Sequence, residues 1–493
     1  MCSAARSKRS SFLLLAAVVV AAVPVLASAD RLPQSPDRTP QGLNAVLRWN
    51  TIAIDASGLD HTPVAPGEPR TFGHQLGPGR ASRAMAIVHI AVFEVVNAIS
   101  GGYESYTHLR RAVPGTSLDA AVAQAAHDTL SELYPSHAPG FDRSLANELA
   151  RVPNRHARAL GIELGRRSAA SVLAMRARDG SEVAEPKMGT GFLPSDDPGW
   201  WRQDPISQAP IALGAHWGDV EPFVLRSAAA FRAPPPPPLT SARYAAAFEE
   251  VKAYGGDGTT TVTVRTPDQT QIGIYWAYDG TPSLCAPPRL YNQITVGIAR
   301  QRGSDLVETA RLLALVNVAM ADAGVAIWES KFHYQVWRPV TGIRESDEGT
   351  GPTGLGDGNP ATIGEPTWSP LGAPASNAQG PNFTPPFPAY PSGHAGFGGA
   401  LFQTLRRFYG TDRIAFTFVS DELNGVTRDN AGNLRPLVPR SFRSLSQAEE
   451  ENGQSRIYLG IHWSFDKSEG IAQGRRVADA VWRHLYVPVR TRN

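Results

Sequence analysis

The segment Pro388-Ala-Tyr-Pro-Ser-Gly-His394 is a proline-rich approach that ends at a serine and continues into small residues. Ser392 is a favourable N-cap, so the sequence predicts that a helix begins here. The free N–H groups and the positive dipole end of such a helix favour a bound anion, and the Ser392 hydroxyl and the Gly393 amide are placed to donate to it. His394 projects from the first turn, where a histidine can exchange protons with a bound oxyanion near neutral pH.

A second segment, Lys331-Phe-His-Tyr-Gln-Val-Trp-Arg338-Pro339, also carries cations. Their separation of seven residues predicts that Lys331 and Arg338 lie on one side of a helix, about 10 Å apart along its axis. Both long side chains can then bend toward one anion. Pro339 favours the end of that helix at this point.

A third segment, Ser455-Arg-Ile-Tyr-Leu-Gly-Ile-His462-Trp-Ser-Phe-Asp466, lies near the end of the chain. The six residues from Arg456 to His462 do not give a same-face spacing, which predicts a break near Gly460. Asp466 follows His462 by four residues. Its carboxylate can therefore accept a hydrogen bond from one ring nitrogen of His462 and leave the other as a ligand or a nucleophile.

In this order and with these spacings, the three segments resemble the signature of the phosphatidic acid phosphatase type 2 and vanadium haloperoxidase superfamily. The patterns are Lys-x6-Arg-Pro, Pro-Ser-Gly-His and Ser-Arg-x5-His-x3-Asp, and none contains a gap. The resemblance extends from about Arg80 to Phe465 and is most specific from Arg265 onward. It implies a site that binds vanadate, or phosphate in its place, through Lys331, Arg338, Ser392, Gly393, Arg456 and His462.

Further residues resemble the fungal vanadium chloroperoxidases within that superfamily. Trp328 and Phe387 correspond to an aromatic pair at the halide-binding region, where bromoperoxidases carry polar residues. The segments Tyr275–Asp279 and Pro287–Gln293 are also similar to those enzymes. The resemblance implies that Asp279 holds a pocket arginine, that His462 is the apical vanadate ligand, that His394 relays protons and that Lys331 polarises bound peroxide.

Periodicity favours an all-α fold with little strand. Helices are predicted near residues 80–97, 118–134, 141–151, 156–178, 240–253, 268–278, 288–301, 304–337, 394–409, 446–459 and 468–485. Strand signal is nearly confined to Thr259–Val264, and long Gly/Pro-rich loops cover 345–386 and 410–445. Phe231–Leu239 contains a proline run that is typical of a stiff connector. We therefore predict an N-terminal helical bundle over 30–230, a connector over 231–239 and a C-terminal helical bundle over 240–493 that carries the pocket.

Residues 1–29 have the pattern of a signal peptide, with Arg6, Lys8 and Arg9, an apolar run and Ala27-Ser28-Ala29. The expectation is a secreted or periplasmic protein. Removing this segment leaves 44 Lys and Arg against 45 Asp and Glu, a net charge near −1, which does not favour nucleic-acid binding. Cys285 then remains alone, so a disulfide framework is excluded.

Three functions agree with these residues. A haloperoxidase uses vanadate, hydrogen peroxide, a halide (chloride or bromide) and an organic acceptor. A secreted phosphatase forms a phosphohistidine at His462, while His394 protonates the leaving alcohol. A non-catalytic module only binds the oxyanion. The haloperoxidase is favoured because Trp328 and Phe387 have no role in a phosphatase pocket beyond packing. A membrane-embedded lipid phosphatase is disfavoured, since no membrane span is predicted after the signal.

Overall fold

The long helix α9, Leu306–Tyr334, is the element on which the other helices pack. Asp305 and Glu308 form a capping box at its start, and nearly the whole of its surface is buried. It contacts α2 (Gly77–Ser100), α8 (Pro287–Arg302), α11 (Gly393–Tyr409) and α13 (Ser464–His484). Lys331 in its last turn is fully buried, whereas His333 in the same turn is exposed. A helix that is apolar all round is expected at the centre of a bundle.

The computed structural model describes residues 45–489, which contain thirteen α-helices and one antiparallel pair of strands. The elements are α1 Ala45–Asp60, α2 Gly77–Ser100, α3 Leu118–Leu133, α4 Ala138–Ala150, α5 Arg155–Arg176, α6 Ala242–Gly255, α7 Pro267–Tyr275, α8 Pro287–Arg302, α9 Leu306–Tyr334, α10 Pro339–Arg344, α11 Gly393–Tyr409, β1 Phe416–Asn424, β2 Leu437–Phe442, α12 Leu445–Tyr458 and α13 Ser464–His484. The all-α prediction is confirmed.

The predicted helices are all present among the described residues, with ends displaced by no more than four positions. The predicted strand at Thr259–Val264 is wrong. The Asp257 carboxylate accepts hydrogen bonds from the amides of Thr259, Thr260 and Thr261, which folds this β-branched stretch into a turn. The strands lie instead at 416–424 and 437–442, inside a stretch that we expected to be a loop.

The described residues belong to one compact unit. Helix α2 precedes the proline-rich connector and packs directly on α9, which follows it. The connector is hydrogen-bonded to this core, because the Tyr334 and Tyr390 hydroxyls donate to the carbonyls of Ala233 and Pro234. The division at 231–239 stays a prediction, and so does the signal at 1–29, which lies outside the described residues.

Among residues 45–489, two helices are long and apolar enough to cross a bilayer, α2 and α9, although no such span was expected from the sequence. Their apolar windows are 89% and 100% buried inside the protein. Burial of this extent identifies them as core helices of the bundle.

Helices α11 and α13 approach each other through glycines. A Cβ atom at Gly474 would press on the Gly396 carbonyl oxygen and lie 2.8 Å from the Ala400 amide nitrogen. Closer to the start of α13, a Cβ atom at Gly470 would lie 2.6 Å from the Ser392 carbonyl oxygen, and the Ser392 amide donates to the Asp466 carbonyl at 3.0 Å. The start of α13 therefore lies beside the start of α11. The close approach depends on the missing side chains.

We expect Gly474→Ala to destabilise the protein by about 1–3 kcal/mol, because the added methyl group meets backbone that must move. Gly297→Ala is the matched control. Gly297 is exposed on α8 with no atom within 4 Å of an added Cβ, so this change should stabilise the helix by up to ~1 kcal/mol. Thermal unfolding of both variants tests the contact. Equal stability of the two would contradict it.

Candidate active site

The Ser392 end of α11 forms the floor of the site. Ser392 is the N-cap, and its Oγ accepts a hydrogen bond from the Ala395 amide. Ser392 and Gly393 are buried in the first turn of this 17-residue helix. The hydroxyl hydrogen of Ser392 and the N–H groups of the first turn are donors without helical acceptors. The predicted helix start is therefore present, and its donors remain available to an anion.

Lys331 and Arg338 do not lie on one helix, which corrects the expectation from their spacing. Helix α9 ends at Tyr334, Gln335 turns the chain with φ +47°, and Arg338 is the N-cap of α10. Both side chains nevertheless reach one segment. Lys331 Nζ donates to the carbonyls of Pro388 and Ala389 at 2.7 and 2.9 Å.

Arg338 binds the same segment through Nε, which donates to the Phe387 carbonyl at 2.9 Å. The carbonyl groups that precede α11 therefore hold two cations at the helix start. An ammonium group has three N–H donors, so Lys331 keeps one beyond its two carbonyl partners.

Arg456 approaches from the last turn of α12. Its Nη2 donates to Asp279 Oδ1 at 2.6 Å, and its side chain is 1% exposed. Arg456 Nε and Nη1, however, are buried without a hydrogen-bond partner. Because unsatisfied N–H groups of a buried cation are costly, this guanidinium is a strong candidate for binding an anion. The implied pairing of Asp279 with a pocket arginine is present.

His462 lies in the turn between α12 and α13. Gly460 has φ +72° and breaks the chain direction where the spacing predicted a break. His462 Nδ1 donates to Asp466 Oδ2 at 2.8 Å, as expected, although His462 precedes the first residue of α13. Its Nε2 lies 3.0 Å from Arg338 Nη1 and accepts from it. An anion that bound at Nε2 would take over this N–H donor.

His394 extends from the first turn of α11 toward the loop that follows α7. Its Nε2 donates to the Ala277 carbonyl, and its Nδ1 lies 3.8 Å from Asp279 Oδ1. Since a carbonyl only accepts, the proton of the neutral ring is on Nε2 and the lone pair is on Nδ1. His394 can therefore gain and lose a proton at Nδ1, which lies beside the Asp279 carboxylate.

The charges of the site are buried together. Burial, and then Arg338, lower the pKa of Lys331 far below its usual range, and an anion bound beside it would favour the charged ammonium form. Burial followed by Arg338 and Lys331 also lowers the pKa of His462 far below its usual range. Burial raises the pKa of Asp466 to about 7. His462 is accordingly neutral at physiological pH and presents a lone pair at Nε2.

These donors suit an oxyanion. The pocket combines three buried cations, a serine hydroxyl, a helix start and a neutral imidazole, against the carboxylates of Asp279 and Asp466. Within residues 45–489, no group of three or more His, Cys, Asp or Glu side chains is arranged to hold a bare metal cation. The unpaired N–H groups of Arg456 and the lone pair of His462 fit vanadate, or phosphate, bound by one nitrogen and by charged hydrogen bonds.

Trp328 and Phe387 pack against each other beside the cations. Their ring centroids are 4.9 Å apart, and Lys331 Nζ lies 5.7 and 5.1 Å from them. Arg338 Cζ lies 5.0 Å from the Phe387 centroid. The two rings therefore form an apolar surface, the aromatic wall, which contacts Lys331 and Arg338. A cavity of about 250 Å³ opens from this wall over His394, Arg456 and His462.

Sequence reasoning missed the groups that position His394. The Ala277 carbonyl accepts a hydrogen bond from the His394 ring. The side chains of Tyr291 and Asn452 donate to the backbone carbonyl of His394 at 2.9 and 3.1 Å. The Ala277 segment is in turn held by buried Glu422, which accepts from the Tyr278 amide. A backbone carbonyl has no sequence signature. Tyr291 lies in a segment that the resemblance did mark.

Comparisons with known proteins agree on one family. A family model described as the VCPO second helical-bundle domain matches residues 311–490. A vanadium chloroperoxidase of Curvularia inaequalis is 32% identical over 521 residues, which cover 88% of this chain and 81% of that protein. A bacterial vanadium-dependent iodoperoxidase has a similar fold, with a TM-score of 0.69, 24% identity and coverage of 92% of this chain and 99% of that chain. A holo-type bacterial vanadium-dependent chloroperoxidase has a TM-score of 0.60, 16% identity and coverage of 86% and 95%.

We expect Arg456→Met to weaken binding of inorganic phosphate roughly 10- to 100-fold, since charged hydrogen bonds contribute about 1.5–3 kcal/mol each. Titration calorimetry at constant ionic strength measures the change. Arg407→Met is the control, because Arg407 forms an ion pair with Asp479 on the surface of α11. An unchanged affinity in Arg456→Met, or equal weakening in both variants, would show that Arg456 does not bind the anion.

Proposed function

The chain belongs to the vanadium-dependent haloperoxidase family, and from this premise we propose that it oxidises chloride or bromide with hydrogen peroxide to hypohalous acid. The observation that carries the proposal is that the charges of Lys331, Arg338 and Arg456 all act on His462, whose Nε2 accepts from Arg338 and whose Nδ1 donates to Asp466. This leaves Nε2 as the nitrogen that binds vanadate. Bound vanadate supplies a centre that activates hydrogen peroxide for two-electron halide oxidation without changing its own oxidation state.

The chain's part is to hold that group and to neutralise its charge. Lys331, Arg338 and Arg456 supply cations, and Ser392 and Gly393 supply a hydroxyl and an amide at the helix start. Each charged hydrogen bond contributes about 1.5–3 kcal/mol in such a site. Asp466 keeps the His462 ring in the tautomer that presents Nε2.

Proton supply falls to His394. Oxidation of a halide by hydrogen peroxide to hypohalous acid and water consumes one proton. His394 Nδ1 faces the cavity floor beside Asp279 and can deliver that proton, while the Ala277 carbonyl keeps the ring oriented. Burial, reinforced by Arg456, lowers the pKa of His394, so the neutral ring predominates and a proton that it takes up is readily passed on.

The aromatic wall supports halide oxidation rather than phosphate ester hydrolysis. Trp328 and Phe387 lie against Lys331 and Arg338 and line the cavity, so they place an apolar surface where water would have to approach. A phosphatase would need water there to hydrolyse a phosphohistidine. This wall and the chloroperoxidase relative support chloride as a substrate in addition to bromide.

The test is an assay of purified protein with and without orthovanadate, in which peroxide-dependent oxidation of chloride, bromide and iodide is compared with phosphomonoester hydrolysis. We expect vanadate-dependent halide oxidation. His462→Ala should abolish it, and His394→Ala should slow turnover by roughly 10²- to 10⁴-fold while vanadate still binds. His156→Ala, an exposed change on α5, is the control. Hydrolysis that vanadate merely inhibits, with no halide oxidation, would establish a phosphatase instead.

A further inference from the structure

The cavity above the anion pocket is larger than a halide and a peroxide require. Its volume is about 250 Å³, and an apolar cavity of about 150 Å³ already accommodates benzene. A halide ion and hydrogen peroxide each have one or two heavy atoms. The remaining space is sufficient for a molecule with two fused rings.

The walls of this cavity are mainly apolar, and aromatic and proline side chains are prominent among them. They include Phe72, Trp328, Phe383, Pro386, Phe387 and Phe397. The charged side chains on its surface are Asp279 and Arg456, which are paired with each other at the floor. A wall of this kind binds flat apolar rings well.

His61 is the other titratable side chain on the wall above the floor, and both of its ring nitrogens have partners. Nδ1 donates to the Ser57 carbonyl at 2.8 Å, and Nε2 accepts from the Gly77 amide at 3.0 Å. Burial lowers the pKa of His61 and Cys285 raises it, to about 8, so a positive charge on this ring is balanced by Cys285. The wall therefore offers no unpaired counter-charge to an ionic guest, and a carboxylate or sulfonate would lose its hydration there without compensation.

We propose that an uncharged aromatic molecule binds in this cavity and is halogenated in place, so that the cavity is an acceptor site as well as a channel. The inference rests on the proposed function, which supplies hypohalous acid at the floor. The O–X bond of hypohalous acid breaks and a ring carbon forms a C–X bond. The electron pair stays on oxygen, and the ring proton joins the resulting hydroxide as water.

The rim of the cavity provides a position to test away from the anion pocket. Phe72 lies between α1 and α2 and is 45% exposed, so its ring can cover a bound acceptor at the mouth. Leu193 is an exposed apolar residue, at 74%, that does not line the cavity. Phe72→Ala and Leu193→Ala therefore form a matched pair.

The experiment is a competition between 2-naphthol and its 6-sulfonate. Both are given to the vanadate-loaded enzyme with peroxide and bromide, and the ratio of brominated products is compared with the ratio that added hypobromous acid gives. We expect the enzyme to enrich the 2-naphthol product roughly tenfold, which corresponds to ~1.4 kcal/mol of preference. Phe72→Ala should lose most of this enrichment, and Leu193→Ala should keep it.

A second readout needs no turnover. Titration calorimetry of vanadate-free protein with 2-naphthol should show saturable binding that Phe72→Ala weakens and Leu193→Ala does not. If the enzyme oxidises bromide but gives the same product ratio as added hypobromous acid, the acceptor site is wrong and the proposed function stands. The same conclusion follows if 2-naphthol shows no saturable binding. Absence of halide oxidation in the wild-type protein overturns both.

Discussion

Three cations share one buried pocket, and the rest of the structure is arranged to make this possible. Lys331, Arg338 and Arg456 are at most 1% exposed, and moving such groups out of water is costly unless they are paired. Asp279 and Asp466 offset two of these three positive charges. A bound oxyanion offsets the charge that is left, and it accepts hydrogen bonds from the N–H groups of Arg456 that have no partner in the protein.

The packing of the helices serves this constraint. Glycines let α13 approach α11 closely, which places the Asp466 end of one helix beside the Ser392 end of the other. The carbonyls that precede α11 hold Lys331 and Arg338 against this helix start. On the other side, aromatic and proline side chains form a cavity with little charge. The site thus has a strongly polar floor, where hypohalous acid would form, and an apolar cavity above it. This arrangement suits the transfer of halogen to an acceptor that is bound in the cavity.

Much of this could be predicted from the sequence, because caps and spacings are local signals. Ser392 was readable as an N-cap, Gly460 as a break, and Asp466 as the partner of His462. The chain conformation between Lys331 and Arg338 could not be predicted. Gln335, which follows the last residue of α9, adopts a left-handed conformation that a non-glycine residue rarely adopts. The role of Ala277 was also hidden, since any residue has the carbonyl that accepts from His394. Thr259–Val264 has a high β propensity but does not form a strand, because the Asp257 carboxylate accepts hydrogen bonds from the backbone amides at its start.

The most direct measurement of the charge argument is the thermal stability of the protein as orthovanadate is added at constant ionic strength. If the pocket is completed by an oxyanion, Tm should rise steadily with vanadate. The stabilisation should approach ~2.7 kcal/mol when the free concentration is about 100 times Kd. Chloride at the same ionic strength should give no comparable rise. A Tm that vanadate leaves unchanged would mean that the buried cations are compensated without a ligand, and would contradict the account.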